Sequence, residues 1–209
     1  MHKFLFIALL LSINTVFGQS QKVVADCTVS FSVTVNETGA AGTSSLFNNA
    51  TKTLYIKGYE VRSDIESSSF IQSTIYNGRT ATAVILREIG GNKYMTVMDA
   101  AKWKEQNKKY DGMKVDLTND SKTILGYTCK KAVVTLTDGS TLNLFYATEI
   151  IPSTNENNYQ FKDIPGFVLE YESETDKGKN KITFTATKIN LSPVPAAKFE
   201  IPKSGYKML

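Results

Sequence analysis

The stretch that decides the fold is Cys-Thr-Val-Ser-Phe-Ser-Val-Thr-Val, residues 27–35. Apolar and polar side chains alternate strictly along it, with Phe31 and Val33 on the apolar side and Ser30 and Ser32 on the polar side. Successive side chains of a β-strand point to opposite faces, so a period of two predicts a strand that is buried on one face only. The stretch therefore predicts a sheet with one apolar face.

Working outward from this strand, short apolar runs recur and are separated by turn sequences. Asn77-Gly78, Gly90-Gly91, Asp138-Gly139 and 176–178 each supply residues that adopt the positive φ of tight hairpins. The sequence therefore predicts a mainly β domain of nine strands, nearly all antiparallel. The predicted strands are 27–35, 53–63, 69–76, 80–89, 93–98, 124–136, 141–150, 166–173 and 181–189. Residues 38–51, rich in Gly, Ala, Ser and Asn, are predicted to form a long connection.

One segment, 99–109, lacks β-branched residues and follows the pattern of a helix. It starts with Asp99, a residue type favoured at helix N-caps, and it ends before Asp111-Gly112. Its apolar content is small, so we expect a surface helix with Trp103 turned inward. Such a helix is either a lid over a cavity or a cover for a sheet edge.

The first eighteen residues have the pattern of a cleaved secretory signal. Lys3 provides the positive charge, an apolar run follows, and Val16-Phe17-Gly18 precedes the expected cleavage before Gln19. This predicts a signal peptide over 1–18 and a single domain over 19–209, with no transmembrane segment after cleavage. No Cys stands at the cleavage point, so lipidation is not expected and the protein is predicted to be periplasmic or secreted.

The residue types exclude several kinds of chemistry from the mature domain. The only histidine, His2, lies in the predicted signal, which removes a His general base and the commonest metal ligand. Glu170, Glu172 and Glu174 share one strand face, as solvating side chains commonly do. With 24 basic and 20 acidic residues interspersed, the charge pattern does not predict nucleic-acid binding. We therefore expect no enzyme and no cofactor.

Cys27 and Cys129 would remain in a compartment that permits oxidation. They form either a disulfide or two buried free thiols, and the sequence leaves both alternatives open.

The chain is also rich in aromatic residues, with eleven Phe and ten Tyr. On a curved sheet, large apolar side chains either fill the core or line a cavity for an apolar ligand. The residues predicted to line such a cavity or its lid are Trp103, Tyr110, Phe31, Val33, Leu144, Tyr146 and Phe184.

Residues 126–132 (Gly-Tyr-Thr-Cys-Lys-Lys-Ala), 148–152 (Thr-Glu-Ile-Ile-Pro) and 163–170 (Asp-Ile-Pro-Gly-Phe-Val-Leu-Glu) resemble the secreted GLPGLI family, and 199–207 resembles the ending of a related exported family. These families are similar to the LolA-type periplasmic lipoprotein carriers. The resemblance implies an incomplete β-barrel, a helical lid and an apolar concave face for acyl chains. Pro165 and Gly166 are kept from the signature, and they are predicted to form a structural type II turn.

Three functional hypotheses from different classes follow. The first is an exported, non-catalytic binder of an apolar or lipidated ligand, such as a lipid or lipoprotein. The alternative is a structural or partner-binding module of the cell envelope with a filled core. An enzyme using Glu149, Asp163 and Glu170 is a third hypothesis.

Overall fold

The computed structural model describes residues 21–36, 47, 49–174 and 181–209. The predicted signal peptide, most of the predicted connection over 38–51 and the predicted turn over 176–178 lie outside these residues. The described part is mainly β, as predicted, with one large curved antiparallel sheet that does not close into a barrel.

The sheet is built from strands that follow the predicted ones closely in most places. The strands are β1 (Lys22–Val24), β2 (Asp26–Asn36), β3 (Thr51–Lys57), β4 (Glu60–Glu66), β5 (Phe70–Asn77), β6 (Thr82–Ile89), β7 (Asn92–Met98), β8 (Lys114–Ile124), β9 (Tyr127–Thr135), β10 (Thr141–Ala147), β11 (Ile150–Pro152), β12 (Phe167–Glu174), β13 (Lys181–Asn190) and β14 (Lys207–Met208).

The order of strands across the large sheet is β14-β7-β6-β5-β4-β3-β2-β13-β12-β10-β9-β8. Every neighbouring pair in it is antiparallel except β14 and β7. The amino-terminal half forms the meander β2 to β7, and the carboxyl-terminal half forms β8 to β13. The two halves meet where β2 pairs with β13, while β1 and β11 form a separate parallel pair.

Strand β2 has the alternation that its sequence predicts. Cys27, Val29 and Phe31 are buried, and the residues between them are partly or fully exposed. Val33 and Val35 are half-buried at the margin of the same core. Burying one such side chain stabilises the fold by roughly 1.5–3 kcal/mol, so this row contributes a large part of the core's stability.

Two strand predictions need the largest corrections, and the short strands β1, β11 and β14 were not predicted. Residues 53–63 are not one strand, because Gly58 takes a positive φ of 58° and turns the chain between β3 and β4. Strand β8 was missed because it is an edge strand with a largely exposed, polar sequence that buries only Ile124. A strand without an apolar face gives no period-two signal.

The helix prediction is confirmed. Helix α1 spans Ala100–Gln106, and the Asp99 carboxylate caps it by accepting a 2.8 Å hydrogen bond from the Lys102 amide. A short 3-10 turn, Lys108–Tyr110, continues the segment. Trp103 is buried as expected. No described helix is both long enough and apolar enough to cross a bilayer.

The turn at Pro165 and Gly166 is not the predicted type II turn. Gly166 does not have a positive φ; the left-handed residue in this turn is Asp163, with φ of 64°. Gly166 is needed for space, because a Cβ there would lie 2.2 Å from the Ala147 carbonyl oxygen and 2.6 Å from the Tyr146 ring. The turn therefore depends on a close approach between strands β10 and β12.

The structure has Cys27 and Cys129 as free, buried thiols, the second of the two alternatives. They lie on β2 and β9, with β13, β12 and β10 between them in the sheet. Four strand spacings amount to about 19 Å along the sheet. A disulfide needs Cα atoms within about 7 Å, and the path along the sheet between these two strands is longer than that.

We expect Gly166→Ala to lower the free energy of unfolding by about 2–3 kcal/mol, because the added methyl group meets backbone that has no room to move. Chemical denaturation of the purified protein measures the change. Asp163→Gly, three residues away, is the control and should stay within about 0.5 kcal/mol, because glycine tolerates the left-handed conformation there. Equal effects of the two substitutions would contradict the close-packing role of Gly166.

Both thiols should be unreactive in the folded protein. Burial raises the pKa of Cys27 to about 12 and that of Cys129 to about 11, so the reactive thiolate is scarce at neutral pH. A thiol-specific chromogenic reagent should titrate neither group in the native chain and both after unfolding, without reductant. Recovery of thiols only after reduction would show that a bridge exists.

Candidate functional site

The structure brings most of the predicted cavity residues together in one apolar cluster. Phe31, Leu144, Tyr146, Phe184 and Tyr110 are all buried in it. Val33 packs at its edge. Whether this concave face is hollow or filled decides between the two predicted functions.

The concave face is covered by a segment of the chain of which the sequence singled out only the last three residues. This segment, residues 153–165, is named the plug here. Its Phe161 is buried and meets the Tyr171 ring edge to face, with ring centroids 5.0 Å apart. Its first residues are tied to the β3–β4 hairpin, where Ser153 and Thr154 donate hydrogen bonds of 2.7 and 3.0 Å to the Gly58 carbonyl oxygen.

The plug is also held by the helical segment beside it. The Asn157 side chain donates a 3.0 Å hydrogen bond to the Asn107 side chain, which itself donates to the Trp103 carbonyl oxygen. The Tyr110 hydroxyl donates to Gln160, whose amide donates in turn to the Glu172 carbonyl oxygen. The plug, helix α1 and strand β12 are thus joined by hydrogen bonds.

Little space remains beneath the plug. The cavity between Leu54, Ile56, Phe161 and Phe167 has a volume of about 10 Å³. A buried water needs roughly 10–15 Å³ of such space, and ligand pockets usually hold about 300–1,000 Å³. This part of the interior therefore has no room for an acyl chain.

A lysine side chain is buried in the core beneath the plug. Lys52 is on the buried face of β3, in register with Phe31 of β2, and only 4% of its side chain is exposed. Its Nζ lies 4.9 Å from the ring centroids of both Tyr171 and Phe184 and 5.4 Å from that of Phe31. Three aromatic faces thus surround the ammonium group, an arrangement that favours a cation.

The charge of Lys52 is balanced by the plug. Glu156 accepts a hydrogen bond from Lys52 Nζ at 2.5 Å, and its own side chain is only 9% exposed. Lys52 also donates to the Tyr171 hydroxyl. Burial lowers the pKa of Lys52, while Glu156 acts in the opposite direction. Burial raises the pKa of Tyr171 well above its ordinary value, and the charge of Glu156 adds to this.

This ion pair fastens the plug and is closed to solvent. A buried pair loses solvation that its mutual attraction only partly replaces, so removal of one partner is costly. Sequence reasoning missed Lys52, although one signal was present. The alternation Lys52, Leu54, Ile56 puts a lysine on the apolar side of a strand.

Helix α1 covers the other end of the concave face. Trp103 packs on Tyr76 with ring centroids 5.7 Å apart, in a second cluster that includes Ala83 and Ile85. Tyr159 of the plug packs against both clusters. The helix therefore continues the cover that the plug begins. The Trp103 indole N–H has no hydrogen-bond partner among the described residues.

Of the three acidic residues named for an enzyme, two are exposed and one forms an ion pair. Glu149 and Asp163 are exposed, and Glu170 binds Lys122 at 2.6 Å and accepts a hydrogen bond from Thr185. Glu172 pairs with Lys181 at 3.2 Å and with Asn143. No group of three or more potential metal-binding side chains occurs in the described part of the chain.

An open groove lies outside the core, between the edge of β7 and helix α1. Its volume is about 730 Å³. Its lining residues are Thr96, Val97, Met98, Ala101, Lys102, Glu105, Gln106, Lys108, Lys109 and Leu209. Unlike the cavity beneath the plug, this groove is large enough to hold part of a polypeptide.

The geometry defines a class: a domain with an open, curved antiparallel sheet whose concave face is covered by its own chain. The chain belongs to the family described as the N-glycanase peptide, N-terminal domain, whose model matches residues 44–200. No curated protein sequence matches it. The family shown here is not the GLPGLI family, so that resemblance stays a prediction.

Similar solved structures share little sequence with the chain. PNGF-II in space group P21 is 14% identical with a TM-score of 0.48, over 87% of this chain and 31% of PNGF-II. MucB in complex with MucA(peri) is 13% identical with a TM-score of 0.44, over 85% of this chain and 54% of MucB. A Vibrio parahaemolyticus domain named after outer membrane lipoprotein sorting is 8% identical with a TM-score of 0.25, over 86% and 91%. The chain spans about a third of the length of the PNGF-II chain.

Substitutions in the Lys52–Glu156 pair should show strong coupling. We expect Lys52→Met alone to lower the free energy of unfolding by about 3–5 kcal/mol, because it leaves a carboxylate buried without its partner. Lys52→Met with Glu156→Leu should cost less than the sum of the single substitutions, with a coupling of more than about 1 kcal/mol. Denaturant unfolding of the three variants measures this.

The exposed pair Lys93–Glu88, with an N–O distance of 2.9 Å, provides the control. Lys93→Met should cost much less than Lys52→Met, as is usual for a solvated ion pair. A Lys52→Met protein as stable as Lys93→Met would show that the buried pair does not fasten the plug.

Proposed function

We propose that this chain is an exported, non-catalytic module that binds a protein partner through its outer surface, while its interior serves stability. This is the alternative with a filled core. The observation that carries it is the packing beneath the plug, where Phe161 and Glu156 occupy the concave face that a lipid would need.

The contacts of the plug support this function over that of a lipid carrier. A carrier has to expose its apolar face to take up an acyl chain. Here, uptake would separate Glu156 from Lys52 and remove Phe161 from the Tyr171 ring. Separation would leave Lys52 charged and unpaired among aromatic rings, at a cost of several kcal/mol.

The surface groups support a binding role without catalysis. Glu170 and Glu172, two of the three acidic side chains on one face of β12, are engaged in ion pairs with lysines on neighbouring strands. The family shown for this chain is named after an N-glycanase, and the chain spans only about a third of the PNGF-II chain. The activity of the whole N-glycanase is therefore not proposed for this chain.

Export of the protein is inferred from its amino-terminal sequence. Residues 1–18 have the composition of a cleaved signal, and Gln19 would be the first residue of the mature protein. A protein delivered to the cell envelope in this way meets its partner outside the cytoplasm.

Native mass spectrometry of the protein purified from the cell envelope tests the filled core and the cleavage of the signal. We expect a single mass equal to residues 19–209, unchanged by prior extraction with organic solvent, because the space beneath the plug is too small for a lipid. A lipid carrier purified in parallel shows that bound lipid survives the procedure. A lipid adduct lost on extraction would overturn the filled-core function, and a mass that includes residues 1–18 would overturn signal cleavage.

A further inference from the structure

We infer that Arg87 of strand β6 binds an acidic side chain of a partner protein, and that the acidic residue has large apolar neighbours in the partner's sequence. The inference deepens the proposed function, on which it rests, by naming the surface and the chemistry of the partner. Three features support it: an arginine without a carboxylate partner, a side chain that orients this arginine, and apolar side chains beside it.

Arg87 lies on the side of the sheet that helix α1 covers, called the helix side here. Strand β6 pairs with β5 and β7 without a register shift, so Ala83, Ile85, Arg87 and Ile89 all share this side. Ala83 and Ile85 are buried in the cluster around Trp103, Arg87 is half-buried, and Ile89 is 51% exposed. Arg87 therefore stands where the cover provided by the helix ends.

Lys52 and Arg87 are the two charged residues on the helix side of strands β3–β7. The strand registers place the other charged residues of these strands on the opposite side. The plug supplies Glu156 to Lys52, whereas no carboxylate among the described residues pairs with Arg87. An incoming carboxylate would complete Arg87 in the way that Glu156 completes Lys52.

The other two arginines of the chain have different surroundings. Arg62 binds the Asp64 carboxylate at 2.7 Å, so its charge is balanced within the fold. Arg79 is exposed, and water solvates it. Arg87 is half-buried and has no acidic partner in the described part of the chain. Because a half-buried guanidinium has lost part of its hydration, a carboxylate interacts with it more strongly than with a solvated one.

Gln72 of strand β5 orients the guanidinium. Its side-chain oxygen accepts a 2.8 Å hydrogen bond from Arg87 Nε, and the two residues are in register. The terminal nitrogens of Arg87 have no hydrogen-bond partner among the described residues. A planar guanidinium held at one nitrogen is pre-organised to donate two parallel hydrogen bonds to a carboxylate. Tyr94 is in register on the other side of Arg87, where it adds a hydroxyl donor.

Apolar side chains border the arginine at the rim of the sheet. Phe70 and Ile89 pair in register on the helix side, two residues from Gln72 and Arg87 respectively. A single carboxylate on a partly solvated arginine contributes little affinity, so a stable contact needs apolar burial as well. A partner residue next to the acidic one can bury Ile89 and exclude water from the charge pair. An acidic residue flanked by large apolar residues therefore fits this surface.

Nuclear magnetic resonance on the full mature chain tests the inference directly, because each arginine gives one side-chain Nε–H signal. A pentapeptide with a central glutamate between leucines, blocked at both ends, should shift the Arg87 signal and leave those of Arg62 and Arg79 unchanged. The same peptide with glutamine should bind at least tenfold more weakly, because it lacks the charge. An unchanged Arg87 signal with the glutamate peptide, or equal binding of the two peptides, would overturn the inference.

Matched variants locate the site. Arg87→Gln should weaken binding of the glutamate peptide at least tenfold. Arg79→Gln makes the same change in net charge at an exposed arginine on a turn and should leave binding unchanged. Circular dichroism and denaturation confirm that both variants fold. Equal effects of the two substitutions would overturn the site.

Two further outcomes separate this inference from the function on which it rests. Failure of the glutamate peptide to bind, with a lipid-free native mass, would overturn the Arg87 site and leave the filled-core function standing. A shift of the Arg87 signal by oleate and not by the peptide would make the site one for a fatty acid and would also overturn the inference.

Discussion

Burial of the apolar row on β2 is the interaction on which the rest of the structure depends. Val29 and Phe31 pack inward, while the strand's backbone pairs with β3 on one side and β13 on the other. The amino-terminal meander and the carboxyl-terminal meander are therefore parts of one sheet with one concave face. Without this strand, each half would have an open edge and an uncovered apolar surface.

That concave face contains a charge, and this constrains what the interior can do. Lys52 is surrounded by the rings of Phe31, Tyr171 and Phe184, and Glu156 of the plug neutralises it. The plug thus completes the core both sterically and electrostatically. Because the space beneath the plug is occupied in this way, a ligand there would have to displace the plug.

The sequence predicted the features that depend on local pattern. The alternation of 27–35, the Gly90-Gly91 and Asp138-Gly139 hairpins and the Asp99 cap of the helix all occur as expected. The features that depend on distant contacts were missed. The plug has no periodicity, the role of Gly166 depends on the Ala147 carbonyl oxygen of another strand, and Lys52 finds its partner 104 residues later. No local pattern carries that information.

The position of β2 also has a consequence for the order of assembly. Its partner β13 comes far later in the sequence, and Thr187 donates a hydrogen bond to the Ser30 carbonyl oxygen across 157 residues of sequence. A chain made from its amino end must therefore keep the central strand half-paired until β13 has been made. Such a high contact order slows folding and exposes an aggregation-prone intermediate, so a chaperone that holds the nascent amino-terminal meander would raise the yield of folded protein.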